Sequence, residues 1–230
     1  MPTDYTYAYT LLVCFFTLVW VILFIIRKDL RREMFIMSLL AAPLGPFGDF
    51  FYQRDYYLLP ILNGHYWWIY SLACGFVYGG VAAVLYETLL KEHHRIQRGI
   101  RKKQGRHYWW FWAVFLGGGA FMYVGTFLLQ INSIYVSFCV MFLGALWIGY
   151  QRKDLLVEAV GSGLALMAVT TVFYLVLQLV FPGIFETQWN IASLSGLFIL
   201  GIPVEEYVWA FMWGLITGPA YEYVMAIKMR

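Results

Sequence analysis

Charge is what this chain of 230 residues has least of. Asp, Glu, Lys and Arg together make up 13% of it, against 62% apolar and 20% aromatic residues. A soluble domain carries about twice that charge and needs it on its surface. A water-soluble fold is therefore excluded, and the bilayer is the solvent. Cysteine is scarce as well: Cys14, Cys74 and Cys139 show neither metal-ligand spacing nor an extracellular pair and read as small packing residues. The amino terminus lacks a basic n-region, and the first apolar run lacks an A-x-A-like exit. No cleavable signal peptide is expected. Arg27-Lys28-Asp29-Leu30-Arg31-Arg32 follows that run instead and holds it as a permanent span.

What the chain has in abundance is apolar length. A crossing takes about 20 apolar residues, and seven runs offer it, at roughly 10–26, 34–51, 67–90, 109–129, 134–150, 155–181 and 191–216. Of the 16 cations, 15 follow spans one, three, five and seven, and Arg54 is the exception. The positive-inside rule puts that side in the cytoplasm and the amino terminus outside. The net charge of +3 thus reflects topology and lipid headgroups and gives no reason to invoke nucleic acid. The expected fold is an all-α, multi-pass integral membrane protein of seven transmembrane helices.

Span one ends in Arg27-Lys28-Asp29-Leu30 with Glu33 three residues on, and span five ends in Arg152-Lys153-Asp154-Leu155 with Glu158 three residues on. Cys14 and Cys139 stand at the same offset. Spans one to three then correspond to spans five to seven, joined by span four, a parallel 3+1+3 architecture. The expected division is a first three-helix repeat at 1–90, a basic cytoplasmic loop and linker helix at 91–133, and a second repeat at 134–230. The chemistry is not duplicated: the counterpart of Asp49 falls near Tyr174, and the first half has no equivalent of Pro203-Val204-Glu205-Glu206.

Ionisable groups inside a bilayer are costly and mark function by default. Glu205 and Glu206 stand about fifteen residues into span seven, roughly 22 Å along a helix. Adjacent helical positions point apart, so one glutamate is expected to line a cavity while the other bonds a neighbouring helix. Pro203 before them is expected to loosen the helix. A structural carboxylate held by Tyr or Trp donors is the plainer alternative. Asp49 lies late in span two, among two prolines and two glycines, either on a cavity wall or at the span's outer end. Asp55 beside Arg54 reads as a solvated pair, and Glu222 as facing headgroups. Aromatics at span ends (Tyr66, Trp67, Trp68 and Tyr70; Tyr108, Trp109, Trp110 and Trp112) read as an interfacial belt. Trp209 and Trp213 lie deeper, four apart, with Trp209 four from Glu205. An acid and π-faces on one apolar wall suit protonation of an alkene and stabilisation of the cation formed.

The run Gly201-Ile202-Pro203-Val204-Glu205-Glu206-Tyr207-Val208-Trp209 resembles the Pro-x-Glu-Glu-aromatic motif of the membrane lycopene cyclases of the heterodimeric or fused type. Gln188-Trp189-Asn190, the RKDL turns and the duplication fit the same family. The resemblance implies a lycopene β-cyclase-like enzyme, of intramolecular lyase or isomerase type. It would protonate a polyene end and close a ring through a carbocation without net redox, with no cofactor or metal evident. It puts Glu205 and Glu206 on the family's acidic pair, with Asp49 as a third catalytic candidate. Trp209, Trp213, Tyr207, Trp189 and Pro203 are the candidates for substrate binding. The implied partners are a lipophilic polyene or isoprenoid and the lipid bilayer, with self-association left open. A weaker likeness, through Asp49-Phe50-Phe51-Tyr52, is to the integral-membrane terpene cyclases of fungal meroterpenoid pathways.

The main alternative is a seven-helix transporter of the 3+1+3 type, similar to the sugar-efflux transporters. Spans one and five lack the hinge proline which that comparison implies. A retinal photoreceptor would need a lysine in span seven, which has none before Lys228. A non-catalytic membrane scaffold is the remaining reading.

Overall fold

The computed structural model describes residues 5–58, 67–90, 94–95, 108–225 and 228–229. Tyr66 and nearly all of the basic 91–106 segment lie outside them. Helix α1 (Ala8–Ile26) contains neither Gly nor Pro and ends where Arg27 turns the chain. There the Arg27 guanidinium holds the Asp29 carboxylate in a two-pronged pair at 3.0 and 2.9 Å. Helices α2 (Arg31–Ala41) and α3 (Leu44–Asp55) are bent by 43° at a break containing Pro43, which has no N–H to continue the ladder. Helix α4 (Trp67–Leu90) follows. Helix α5 is the continuous run 108–128, in which Ala113–Gly117 and Val124–Leu128 are π-helical.

Helix α6 (Ser133–Gln151) starts at Asn132, whose side chain caps Ile134 N–H at 3.0 Å. It stops at Arg152, which grips Asp154 at 2.9 and 2.7 Å just as Arg27 grips Asp29. Helix α7 (Leu156–Val180), the short α8 (Ile184–Gln188), α9 (Val204–Thr217) and α10 (Ala220–Met225) complete the helical order.

Among the described residues, four helical stretches are long and apolar enough to cross a membrane: Ala8–Ile26, Trp68–Leu90, Ser133–Gln151 and Lys153–Val180. The bent α2–α3 pair is apolar enough to make a fifth where the two helices cross as one span. Their outer faces are apolar, with Leu18 60%, Val157 73% and Leu179 82% exposed, a surface that water does not tolerate over whole helices. The chain is an all-α membrane protein. Its core gathers around Phe16, Phe173 and Tyr78, where α1, α4 and α7 meet. Within the first half α4 packs on α2 at Gly79, where a Cβ would stand 2.1 Å from that of Ala41; within the second, α9 packs on α7 at Gly214, where it would stand 2.5 Å from the Ser162 carbonyl.

The structure corrects the expectation for 191–216, which is not one helix. Residues 198–203 form a hairpin, Phe198 opposite Pro203 and Ile199 opposite Ile202. Leu200 and Gly201 both have positive φ, 53° and 77°, the signature of a two-residue primed turn. Helix α9 begins only at Val204, with Pro203 immediately before it in extended conformation (φ −56°, ψ 138°). Pro203 therefore starts the helix and does not loosen one, and Glu205 and Glu206 occupy its first turn, not its middle. A missing N–H costs nothing there, and the positive end of the peptide dipoles favours carboxylates.

Candidate active site

A cavity of about 120 Å³ lies between α1, α3, α4, α7 and α9. Over it the loops after α3 and after α8 are stitched together: Leu58 N–H donates to the Gln188 carbonyl at 2.7 Å and Asn190 N–H to that of Tyr56 at 2.9 Å. Its walls are mainly aromatic. Trp209 and Trp213 stack with ring centroids 5.7 Å apart and planes at 20°, and Tyr78 tilts against both at 5.2 and 6.2 Å. Their spacing of four on α9 sets that stack.

Two carboxyl groups enter this apolar chamber. Glu206, 3% exposed, accepts from the hydroxyls of Tyr56 and Tyr174 and from Trp189 Nε1 at 2.6 Å. Asp49, 5% exposed, accepts from Tyr57, from Ser71 and from Tyr9 at 3.1 Å. Burial first, then the neighbouring Glu206 and Asp49, raise the phenols of Tyr56 and Tyr57 well above their usual range. Both remain hydroxyl donors at neutral pH. Each carboxyl thus has its oxygens fixed by three donors, as a buried polar group requires.

Glu205 points elsewhere. It accepts from the Ser195 N–H at 2.7 Å and the Tyr135 hydroxyl at 2.9 Å, tying α9 to the loop before it and to α6. Tyr207 also lies off the cavity, half-buried, with its hydroxyl on the Ile199 carbonyl at 2.9 Å. Of the sequence-derived candidates the cavity brings together Asp49, Glu206, Trp189, Trp209 and Trp213, and leaves out Glu205, Tyr207 and Pro203. The donors Tyr9, Tyr56, Tyr57, Ser71 and Tyr174 had no sequence signal of their own, except that Tyr174 stands at the repeat counterpart of Asp49.

Four other assignments change. Asp55 is not a pair with Arg54: its carboxylate accepts from Ser133 N–H at 3.1 Å and the Ser133 hydroxyl at 2.5 Å at the start of α6. Arg54 instead lies over the Phe127 ring at 4.4 Å. Trp110 leaves the interfacial belt, being 4% exposed against Tyr223. Cys14 and Cys139 are exposed on the apolar surface and do not pack inside.

Glu222 is fully buried and does not face headgroups. It converges with Glu33 and Glu87, their nearest oxygens within 4.8 Å of one another. Glu158 is buried as well. Three glutamates from separate parts of the chain thus meet at the end of the bundle opposite Asp49 and Glu206, a cluster absent from the sequence reading. Glu33 and Glu158, recurring in RKDLxxE, were the available signal.

Residues 132–224 match the sequence profile of the lycopene cyclase family. That part of the chain is similar to the lycopene cyclases. The match runs from the cap of α6 to Val224 in α10 and so takes in Glu206, Trp189, Trp209 and Trp213, while Asp49 lies before it. No curated protein and no solved structure matches it.

Proposed function

We propose that this chain is a β-cyclase-like enzyme that closes the end of a linear polyene into a ring by acid–base chemistry within the bilayer, with Asp49 and Glu206 as the reacting pair. The observation that carries the reading is that these two carboxyls enter one aromatic-walled cavity from opposite halves of the chain, each with its oxygens oriented by hydroxyl or indole donors. One carboxyl gives its proton to the terminal double bond. The next double bond supplies the electron pair that closes the ring, and the partner carboxylate removes a ring proton to restore a double bond. Substrate and product are isomers, so no electrons enter or leave. The faces of Trp209, Trp213 and Tyr78 stabilise the intervening cation, and the stitched loops keep out water that would quench it.

Glu205 acts in this scheme as a positioning residue, fixing the start of α9 through Ser195 and Tyr135. The seven-span, parallel 3+1+3 reading belongs to the same proposal. It is supported by the matching Arg–Asp grips that end α1 and α6, at positions 125 residues apart.

In cells that accumulate lycopene, Glu206→Gln and Asp49→Asn are expected to lower ring formation, read by pigment chromatography, by about 10²-fold or more, with insertion unchanged. Glu205→Gln should retain a larger share of activity. Full cyclase activity in both of the first two variants would sink the proposal.

A further inference from the structure

A second cavity, of about 150 Å³, lies beside the first. The two share lining residues: Leu44, Gly48, Tyr52 and Trp213 belong to both. These four residues partition the acid chamber from a space between α2, α3, α5, α6 and α9. That space runs toward the opposite end of the bundle, where Thr217 and Ala220 line it. No carboxylate lines it. The wall of α5 is stripped of side chains at Gly118 and Gly119, and the same helix is π-helical just before them, at Ala113–Gly117. Such π-turns are frequent at functional sites.

We infer that this second chamber holds the part of the isoprenoid chain that does not react. The inference rests on the cyclase reading above, and it supplies what the first cavity lacks. A cavity of about 120 Å³ takes one ring's worth of carbon, whereas a long linear polyene needs an apolar channel running on from the reacting end. The two chambers in sequence give that shape, with the acids at the closed end and beyond them a lining that is apolar and aromatic apart from Ser137 and Thr217. Tyr52 stands at the passage. Its hydroxyl accepts from Trp209 Nε1 at 3.2 Å, and its ring would stand 3.2 Å from a Cβ at Gly48, so the missing side chain at Gly48 gives that ring its place. The chamber thereby makes chain length a property the enzyme reads.

Val114→Phe and Val140→Phe fill the second chamber from α5 and α6, and neither position lines the first. The substrates are lycopene and a short linear isoprenoid with the same terminal unit, too short to pass Tyr52. Two quantities are measured on purified protein with a wild-type melting profile: cyclised product, and binding by quenching of tryptophan fluorescence. The filling variants are expected to weaken binding and turnover of lycopene about tenfold, the equivalent of roughly two methylenes displaced from apolar contact. The short substrate should stay within about twofold of wild type on that scale. Equal losses on both substrates, or no loss on lycopene, would overturn the inference. A wild-type protein that binds lycopene in this chamber-dependent way without cyclising it would overturn the cyclase reading and leave the chamber standing. A wild type that binds no polyene would overturn both.

Discussion

At the scale of single residues, what decides the chemistry is which oxygen each donor reaches. Tyr174, Tyr56 and Trp189 hold Glu206 from three separate segments of the chain. Removing one donor from a buried, charge-bearing acceptor costs about 1.5–3 kcal/mol, or roughly 10- to 100-fold in whatever step uses that charge. Tyr174→Phe removes only a hydroxyl and should therefore lower kcat by that range while leaving KM for the polyene nearly unchanged. A rise in KM alone would show that Tyr174 shapes the cavity and does not orient the acid. Glu206, Asp49, Trp209 and Trp213 were legible in the sequence because acids are rare inside apolar runs and tryptophans four apart share a helix face. The tyrosines were not. In a chain with 18 tyrosines, no local pattern distinguishes the few that meet a carboxyl from those that face lipid.

At the scale of elements, the difference between expectation and structure lies at 191–203. Its apolar content satisfies a helix, a strand or a membrane span equally well, and hydropathy alone assigned it to span seven. The turn signal was present in Leu200-Gly201, and Pro203 at the helix start was the second clue. Because Gly201 has φ 77°, any side chain there strains the turn by about 1–2 kcal/mol. A Cβ would also stand 2.5 Å from the Gln178 side-chain oxygen, the movable end of a flexible group. The hairpin sets where α9 begins, and so where Glu206 sits. Gly201→Val should therefore lower the thermal midpoint in detergent and reduce ring formation, whereas the same change at Gly196, open on all sides though also at positive φ, should lower the midpoint with less effect on product. Equal product losses would show that the hairpin does not place the acid.

At the scale of the whole molecule, the two ends of the bundle differ in kind. One carries the stitched loops over Asp49 and Glu206; the other carries the Arg27 and Arg152 turns and the buried convergence of Glu33, Glu87 and Glu222. In the proposed topology the cation asymmetry in the sequence faces the second end to the cytoplasm, with the acid chamber toward the outer leaflet. That orientation is testable with residues exposed at each end. Lys28→Cys and Lys153→Cys lie at the arginine turns and Glu186→Cys lies in α8 beneath the loops, all at exposed positions. In intact cells a charged, membrane-impermeant thiol reagent should label Glu186→Cys and spare the two lysine replacements until the membrane is opened. Cys14 and Cys139, although exposed, stand inside α1 and α6 where such a reagent does not enter hydrocarbon, so they add no background; their serine replacements provide the control. Labelling of Lys28→Cys or Lys153→Cys in sealed cells would reverse the orientation. The acids would then open toward the cytoplasmic leaflet, and the cations would stand on the side that the positive-inside rule forbids.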